Sequence, residues 1–293
     1  MMEELLFVYG TLRKGDVNHF YLNGFDCVRE QAWMQGTLYD TGLGYPAADT
    51  QGKAKVYGEL YRIPKEQWEA LHQLEGYDGS GTSLYVPETV MVSTDTGKMK
   101  ASVYIAGSER LKKEAIECGD WLRKQFEAEN EDTFLYFAYG SCMDKERIRE
   151  AGMENHFQEI TGCSLDGYLL RFTIASKRDG KGRADLVEEG KSCEGLLYRV
   201  NRDALEYLYR REGVHAGSYR PAFVNVQSHN GPDLTKVLTF LVRDKSPAEI
   251  PPPDHYALEI LRGGKGWLSE TYLSSLETHI HSLQFQNKSH GEV

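Results

Sequence analysis

Leu5-Leu6-Phe7-Val8-Tyr9-Gly10-Thr11-Leu12 and Leu135-Tyr136-Phe137-Ala138-Tyr139-Gly140-Ser141-Cys142 are two versions of one phrase. Each is an apolar run of strand length that stops at Tyr-Gly and passes to a hydroxyl residue, as a buried strand does when it turns abruptly into a loop or helix start. The glycine lets the backbone approach closely whatever sits above the turn. Such a turn can aim several free N–H groups at one point and form a small concavity for an anion such as a carboxylate. Tyr9, Gly10, Thr11 and Leu12 are therefore one candidate binding loop, and Tyr139, Gly140, Ser141 and Cys142 another.

The phrase is not the only repeat. Val56-Tyr57-Gly58-Glu59-Leu60-Tyr61-Arg62-Ile63 and Cys193-Glu194-Gly195-Leu196-Leu197-Tyr198-Arg199-Val200 share Gly, Leu, Tyr and Arg at an offset of 137, and the same offset joins Glu75-Gly76 to Glu212-Gly213. The Tyr-Gly openings lie 130 apart, so the second half carries seven more residues between opening and glutamate. This reads as a tandem duplication with loop-length changes, which fits a chain of 293 residues, about twice the common domain size. The polar run Glu127 to Asp132 is the expected linker, dividing the chain into domains 1–130 and 131–293.

In the first half the pattern predicts a strand over 5–9, a loop rich in Gly, Asn and Asp, and a strand over 56–63. A helix then starts at Pro64, carries the stripe Trp68, Leu71, Leu74, and ends at Gly76. Strands over 84–92 and 99–106 flank the turn Asp95-Thr96-Gly97, and a closing helix runs from Leu111 to Phe126 with a break near Cys118-Gly119. The second half predicts a strand from Thr133 to Tyr139, a helix over 142–149, and strands near 168–175, 193–200, 219–227 and 236–243. Asn201 caps a helix over 202–212, and a helical tail follows Pro251-Pro252-Pro253. The expected fold class is α+β, each half a small mixed barrel-like sheet with flanking helices.

Charge and cysteine usage limit the partners. A formal charge of −10 disfavours nucleic acid and anionic membrane surfaces, which need clustered Lys and Arg. Five cysteines without a C-x-x-C pair read as reduced thiols of a cytoplasmic protein, no stretch reaches the roughly 18–20 apolar residues of a membrane span, and Met1 to Glu4 does not read as a signal peptide. The nine histidines include no H-x-x-x-H or H-E-x-x-H arrangement, and there is no P-loop or dinucleotide fingerprint; neither metal nor cofactor is expected. His279-x-His281 reads as an exposed helix end, and Arg13-Lys14 either as steering for an acidic substrate or as a solvated pair. Oligomeric state is left open.

Glu75 and Glu212 rank first for chemistry. Each is the last residue before a helix-ending glycine, where the negative end of the helix dipole raises a carboxylate's proton affinity toward the range of a general base. A single Glu-Gly reads as a solvated turn; the same placement in two repeats reads as an inherited position. Cys142 has two readings. With Ser141 as N-cap and Asp144 as capping-box partner, it sits at a helix N-terminus that favours thiolate; alternatively it is a harmless replacement in a decayed site.

Tyr9 to Gly15, Tyr-Gly-Thr-Leu-Arg-x-Gly, resembles the opening of the AIG2-like and γ-glutamylamine cyclotransferase branch of the γ-glutamylcyclotransferase superfamily. Tyr139-Gly140-Ser141-Cys142-Met143 is similar to the Tyr-Gly-Ser-Asn-Met opening of the γ-glutamylcyclotransferase branch proper, with Cys142 in place of asparagine; the order Pro-Pro-x-x-Tyr, apolar helix, Gly-rich break, Trp-Leu-x-x-x-Tyr-Leu resembles that branch's C-terminal arm. The resemblance implies the cyclotransferase fold in both halves, a catalytic glutamate at Glu75 and at Glu212, and a pocket tyrosine at Tyr104, whose counterpart Phe240 lacks the hydroxyl. It implies conversion of a γ-glutamyl amine or γ-glutamyl amino acid to 5-oxoproline, a ring closure whose proximity advantage needs no cofactor. The first site, with its unaltered opening, is expected to carry most of the activity. Two rivals remain open at this point: a non-catalytic small-ligand-binding protein with one or both sites decayed, and a thiol acyltransferase acting through Cys142.

Overall fold

The computed structural model describes residues 4–129 and 131–289; Met1 to Glu3 and Asn130, where the leader and boundary expectations partly fall, lie outside the described residues. The chain divides into two compact units, 1–129 and 130–293. In the first unit, strands β1 (Glu4–Val8), β2 (Asp26–Asp40), β3 (Pro46–Ile63), β4 (Tyr85–Thr94), β5 (Gly97–Ala106) and β6 (Glu114–Ala115) form one sheet in the order β3-β1-β5-β4-β2-β6. β2 also pairs with β3, which closes five of the strands into a barrel. β1 is antiparallel to β3 and parallel to β5, with Leu6 opposite Ser102.

Period-two alternation along β1 serves two cores. Phe7 packs with Met34, Leu60, Val92 and Val103, whereas Leu6 and Val8 pack with Tyr61, Leu71, Tyr85 and Tyr104. Helix α1 (Trp68–Leu74) belongs to the second of these clusters. Seven residues are too few for a stable isolated helix, and its buried Leu71 supplies roughly 1.5–3 kcal/mol of docking. Gly76, at φ 62°, ends it in the left-handed conformation that a side chain resists.

The second unit repeats the plan. β7 (Thr133–Ala138), β8 (Phe157–Ala175), β9 (Gly182–Asn201), β10 (Tyr219–Ser228) and β11 (Leu234–Val242) close a barrel in the order β10-β11-β7-β9-β8. The registers are equivalent: β7 is antiparallel to β9 and parallel to β11, with Tyr136 opposite Leu238. Helix α4 (Arg202–Arg211) is capped by Asn201, whose side chain accepts from Ala204 N. Gly213 has φ 61°, as Gly76 does.

Several elements differ from the sequence reading. Residues 26–40, expected as loop, form β2, and β3, β8 and β9 all begin well before the segments recognised. The closing helix of the first unit is shorter: α2 (Trp121–Ala128) starts only after Gly119, and Asp120 accepts from Leu122 N and Arg123 N as its cap. Gly119 has φ 66°, a break that α-helix cannot continue through. In the second unit, Ser141–Met143 is a 3-10 turn and the helix proper, α3 (Lys145–Glu150), is capped by Asp144 rather than by Ser141. The tail is helical as expected, with α5 (Asp254–Gly264) and α6 (Glu270–Ser289). His279 is not an exposed end: it is partly buried, its Nε2 3.0 Å from Glu249 Oε1 and its ring stacked near Phe172. No described helix is long and apolar enough to cross a membrane.

Candidate active site

The first loop and Glu75 line one cavity of about 270 Å³, together with Tyr45, Pro46, Leu74, Leu84, Tyr85 and Tyr104. β1 delivers Tyr9 to the rim, and the chain then turns at Gly10, where an added Cβ would stand 2.8 Å from Pro46 Cγ. Because Gly10 to Leu12 leave the strand without entering a helix, their amides donate to no acceptor among the described residues. Thr11 is held by its neighbours, its hydroxyl accepting from Asn18 Nδ2 at 3.0 Å and its carbonyl from Asn18 N. These unbonded amides belong to residues that line the cavity.

Three tyrosines surround Glu75. The Tyr9 hydroxyl donates to Tyr104 O and accepts from Ala48 N, Tyr85 donates to Pro46 O, and the Tyr104 hydroxyl lies 2.7 Å from His72 Nδ1. Glu75 is the C-cap of α1 and partly buried; its backbone donates to Leu71 O and accepts from Tyr85 N, while its carboxyl has no hydrogen-bond partner among the described residues. Burial alone pushes its carboxyl up to about 7. A carboxylate poised near neutrality at the edge of a cavity can both take and return a proton.

The second site contains the same parts in a different state. Tyr139, Gly140, Ser141, Cys142, Glu212, Phe240 and Tyr256 line a cavity of only about 20 Å³, the space of roughly one water. Arg211, standing where the first unit has Leu74, donates to Ser141 Oγ at 2.8 Å and to Cys142 Sγ at 3.1 Å, and its Nε lies 3.6 Å from Glu212. Cys142 Sγ donates toward Glu212 Oε1 at 3.7 Å. Burial raises Glu212 as well, but Arg211 and the Cys142 hydrogen bond act against it. Tyr256 of α5 closes another side, accepting from Ala184 N.

Two expectations are corrected here. Cys142 lies in the 3-10 turn before the α3 cap, 6% exposed, and burial pushes its thiol up rather than down; the helix-N-terminal thiolate is not formed. Arg13-Lys14 is not a solvated pair but is taken up by carboxylates of the first unit. Arg13 is 2% exposed and paired with Glu59 at 3.2 Å and Asp120 at 2.7 Å, and Lys14 pairs with Glu30. Two neighbours of the site went unrecognised, His72 and Arg211, at three positions and one position before their glutamates. No group of three His, Cys, Asp or Glu that could hold a metal ion occurs among the described residues.

The family model for γ-glutamyl cyclotransferase, AIG2-like, matches residues 6–123, and that for the AIG2-like family matches residues 192–276. A Bacillus subtilis (strain 168) protein named "Putative gamma-glutamylcyclotransferase YkqA" is 40% identical over 285 residues, covering 96% of this chain and 99% of the relative. Its crystal structure superposes with a TM-score of 0.85 over 96% of this chain and 99% of that one, at 39% identity. The γ-glutamylcyclotransferase of Bos taurus is 29% identical over 139 residues, 46% of this chain and 71% of its own length.

Proposed function

The chain belongs to the AIG2-like γ-glutamylcyclotransferase family, and on that premise we propose that its first unit converts a γ-glutamyl amine or γ-glutamyl amino acid to 5-oxoproline and the free amine, with Glu75 moving the proton. One observation carries this reading: an unpartnered carboxyl raised to about 7 lines the same cavity as a loop with free amides. The amides of Gly10, Thr11 and Leu12 receive the substrate's α-carboxylate. Glu75 takes a proton from the α-ammonium, the freed amine attacks the γ-carbonyl carbon, and a tetrahedral centre forms. As the original C–N bond breaks, Glu75 gives that proton to the departing nitrogen and takes the second proton of the attacking nitrogen, which passes in turn to the free amine as its ammonium form; one C–N bond is made and one lost. Folding the substrate into a near-attack conformer supplies the larger part of the acceleration.

The test is incubation with a panel of γ-glutamyl amines and γ-glutamyl dipeptides, reading 5-oxoproline. Release from at least one member is expected; release by the Glu75→Gln variant at the wild-type rate overturns the assignment. For the second unit a non-catalytic role is favoured by a specific feature, the Arg211 side chain occupying the space between Ser141, Cys142 and Glu212.

A further inference from the structure

We propose that His72 is a positioning residue: by accepting the Tyr104 hydroxyl proton it keeps that proton off Glu75, so that the base stands in its cavity with no hydrogen-bond donor. The inference rests on the catalytic reading of Glu75 given above and concerns how its basicity is set.

The titratable groups facing Glu75 from the packed elements are Tyr9 at the end of β1, Tyr85 on β4 and Tyr104 on β5; all three feel its charge. Tyr45 lines the same cavity and lies against Tyr85, ring centroids 6.4 Å apart, without bonding Glu75. A tyrosine hydroxyl beside a buried carboxylate ordinarily donates to it, because a charge-assisted hydrogen bond is stronger than a neutral one. Here each hydroxyl has another partner: Tyr9 donates to Tyr104 O, Tyr85 donates to Pro46 O, and Tyr104 lies against His72 Nδ1, which accepts in the tautomer protonated at Nε2, each at 2.7 Å. Two of these acceptors are backbone carbonyls fixed by the barrel. The third is a side chain, so the state of Glu75 depends on residue identity at position 72. His72 is held for the task by α1 and by its ring contacts with Trp68, Tyr77 and Tyr104.

The second unit is a natural contrast. By the 137-residue offset Tyr209 stands at the His72 position, and by register Phe240 stands at the Tyr104 position, their rings 5.8 Å apart; the imidazole and the hydroxyl facing it are replaced together. There Glu212 does have a donor, Cys142, and an ion-pair partner, Arg211. The unit that lacks the histidine is thus the one whose glutamate is bonded. A donor to the ionised carboxylate would lower the proton affinity of Glu75 and make it a weaker base.

The experiment follows the Glu75 δ-carboxyl carbon by NMR titration in protein labelled at glutamate side chains, assigned by its loss in Glu75→Gln, alongside the pH dependence of 5-oxoproline release. In His72→Leu the Tyr104 hydroxyl loses its acceptor and turns to Glu75, so the titration and the acid limb of the rate both move to lower pH, by on the order of one unit. His72→Gln retains an acceptor and stays near the wild-type profile. In the Tyr104→Phe background His72→Leu produces no shift, which a merely structural role would not predict. The proposal is overturned if His72→Leu leaves the Glu75 titration in place, or shifts it equally with and without the Tyr104 hydroxyl. Because the titration is read without turnover, absence of 5-oxoproline in the wild type condemns the catalytic reading alone.

Discussion

The two pockets share backbone and differ in who occupies them. Both present a Tyr-Gly loop whose tyrosine is tied across the barrel, Tyr9 to Tyr104 O and Tyr139 to Phe240 O, and both place a glutamate at a helix C-cap before a left-handed glycine. One pocket holds about 270 Å³ and the other about 20 Å³. The difference comes from side chains: Leu74 against Arg211, Thr11 against Ser141, Leu12 against Cys142, and Tyr256 added from α5. A fold that fixes the framework leaves the decision between cavity and plug to a few substitutions.

The sharpest way to break this comparison is at the glutamates. Glu75→Gln keeps the shape but removes the base, with an expected loss on the order of 10²- to 10⁴-fold in 5-oxoproline release. Glu212→Gln changes it little. A fully active Glu75→Gln beside a dead Glu212→Gln would mean that the catalytic half has been misassigned.

Next in size is the buried triad of Arg13, Glu59 and Asp120, two of whose members the second unit replaces with apolar residues: Met143 stands for Arg13 by the offset of the openings and Leu196 for Glu59 by register. Arg13→Met alone leaves two buried carboxylates without their cation, Glu59 keeping only Lys14 N and Tyr61 and Asp120 its helix-cap amides, and should destabilise the first unit by about 3–5 kcal/mol. Adding Glu59→Leu should recover part of that loss, Asp120 remaining useful as the α2 cap. Denaturant titration of the single and double variants measures both; equal stability of the two would show that the triad is not coupled.

A smaller effect concerns pH. The folded-state value of about 7 for Glu75 lies above the ordinary 4.5, so the folded protein binds more protons than the unfolded chain between those limits. Stability from this group is therefore full below about 4.5, falls as pH rises toward 7, and is lost above it, a change of up to about 3 kcal/mol. Glu75→Gln removes the burden. Its unfolding temperature should exceed the wild type's at pH 8, with the gap closing at pH 5; a constant gap would contradict the assigned origin.

The smallest effect on turnover is expected from Arg211→Leu, which installs the first unit's leucine in the second. It should enlarge the second cavity without altering 5-oxoproline release by the first. Calorimetric titration with 5-oxoproline in the Glu75→Gln background reads whether the opened pocket admits a ligand; no change in binding would show that Tyr256 and Cys142 suffice to keep it shut.

Much of this was legible in the chain because it rests on local pattern. An apolar run stopping at Tyr-Gly marks a strand end, and Glu-Gly after an amphipathic stretch marks a helix C-cap. The long strands were not legible, for a physical reason. β2 shifts register between Arg29 and Ala32 and again between Gly36 and Thr37, and β8 shifts between Glu159 and Thr161, Asp166 and Tyr168, and Arg171 and Ile174. Each shift resets the inward and outward phase, so no single period of two runs through the segment. Arg13 looked like a solvated loop residue because its partners lie 46 and 107 positions away. His72 and Arg211 matter through contacts that only the folded α1 and α4 create.

The Arg211 plug bears on how readily this protein could change in descent. Some leucine and arginine codons differ by a single nucleotide, and the loop beneath Arg211 keeps the first turn of the open site, Met143 N donating to Gly140 O as Arg13 N does to Gly10 O. A closed copy of this kind is not a ruin but a short mutational step from a second open pocket, held on the same polypeptide as the first and inherited with it. Under the proposed function, selection for a different γ-glutamyl substrate could act on that copy while the open one kept its own.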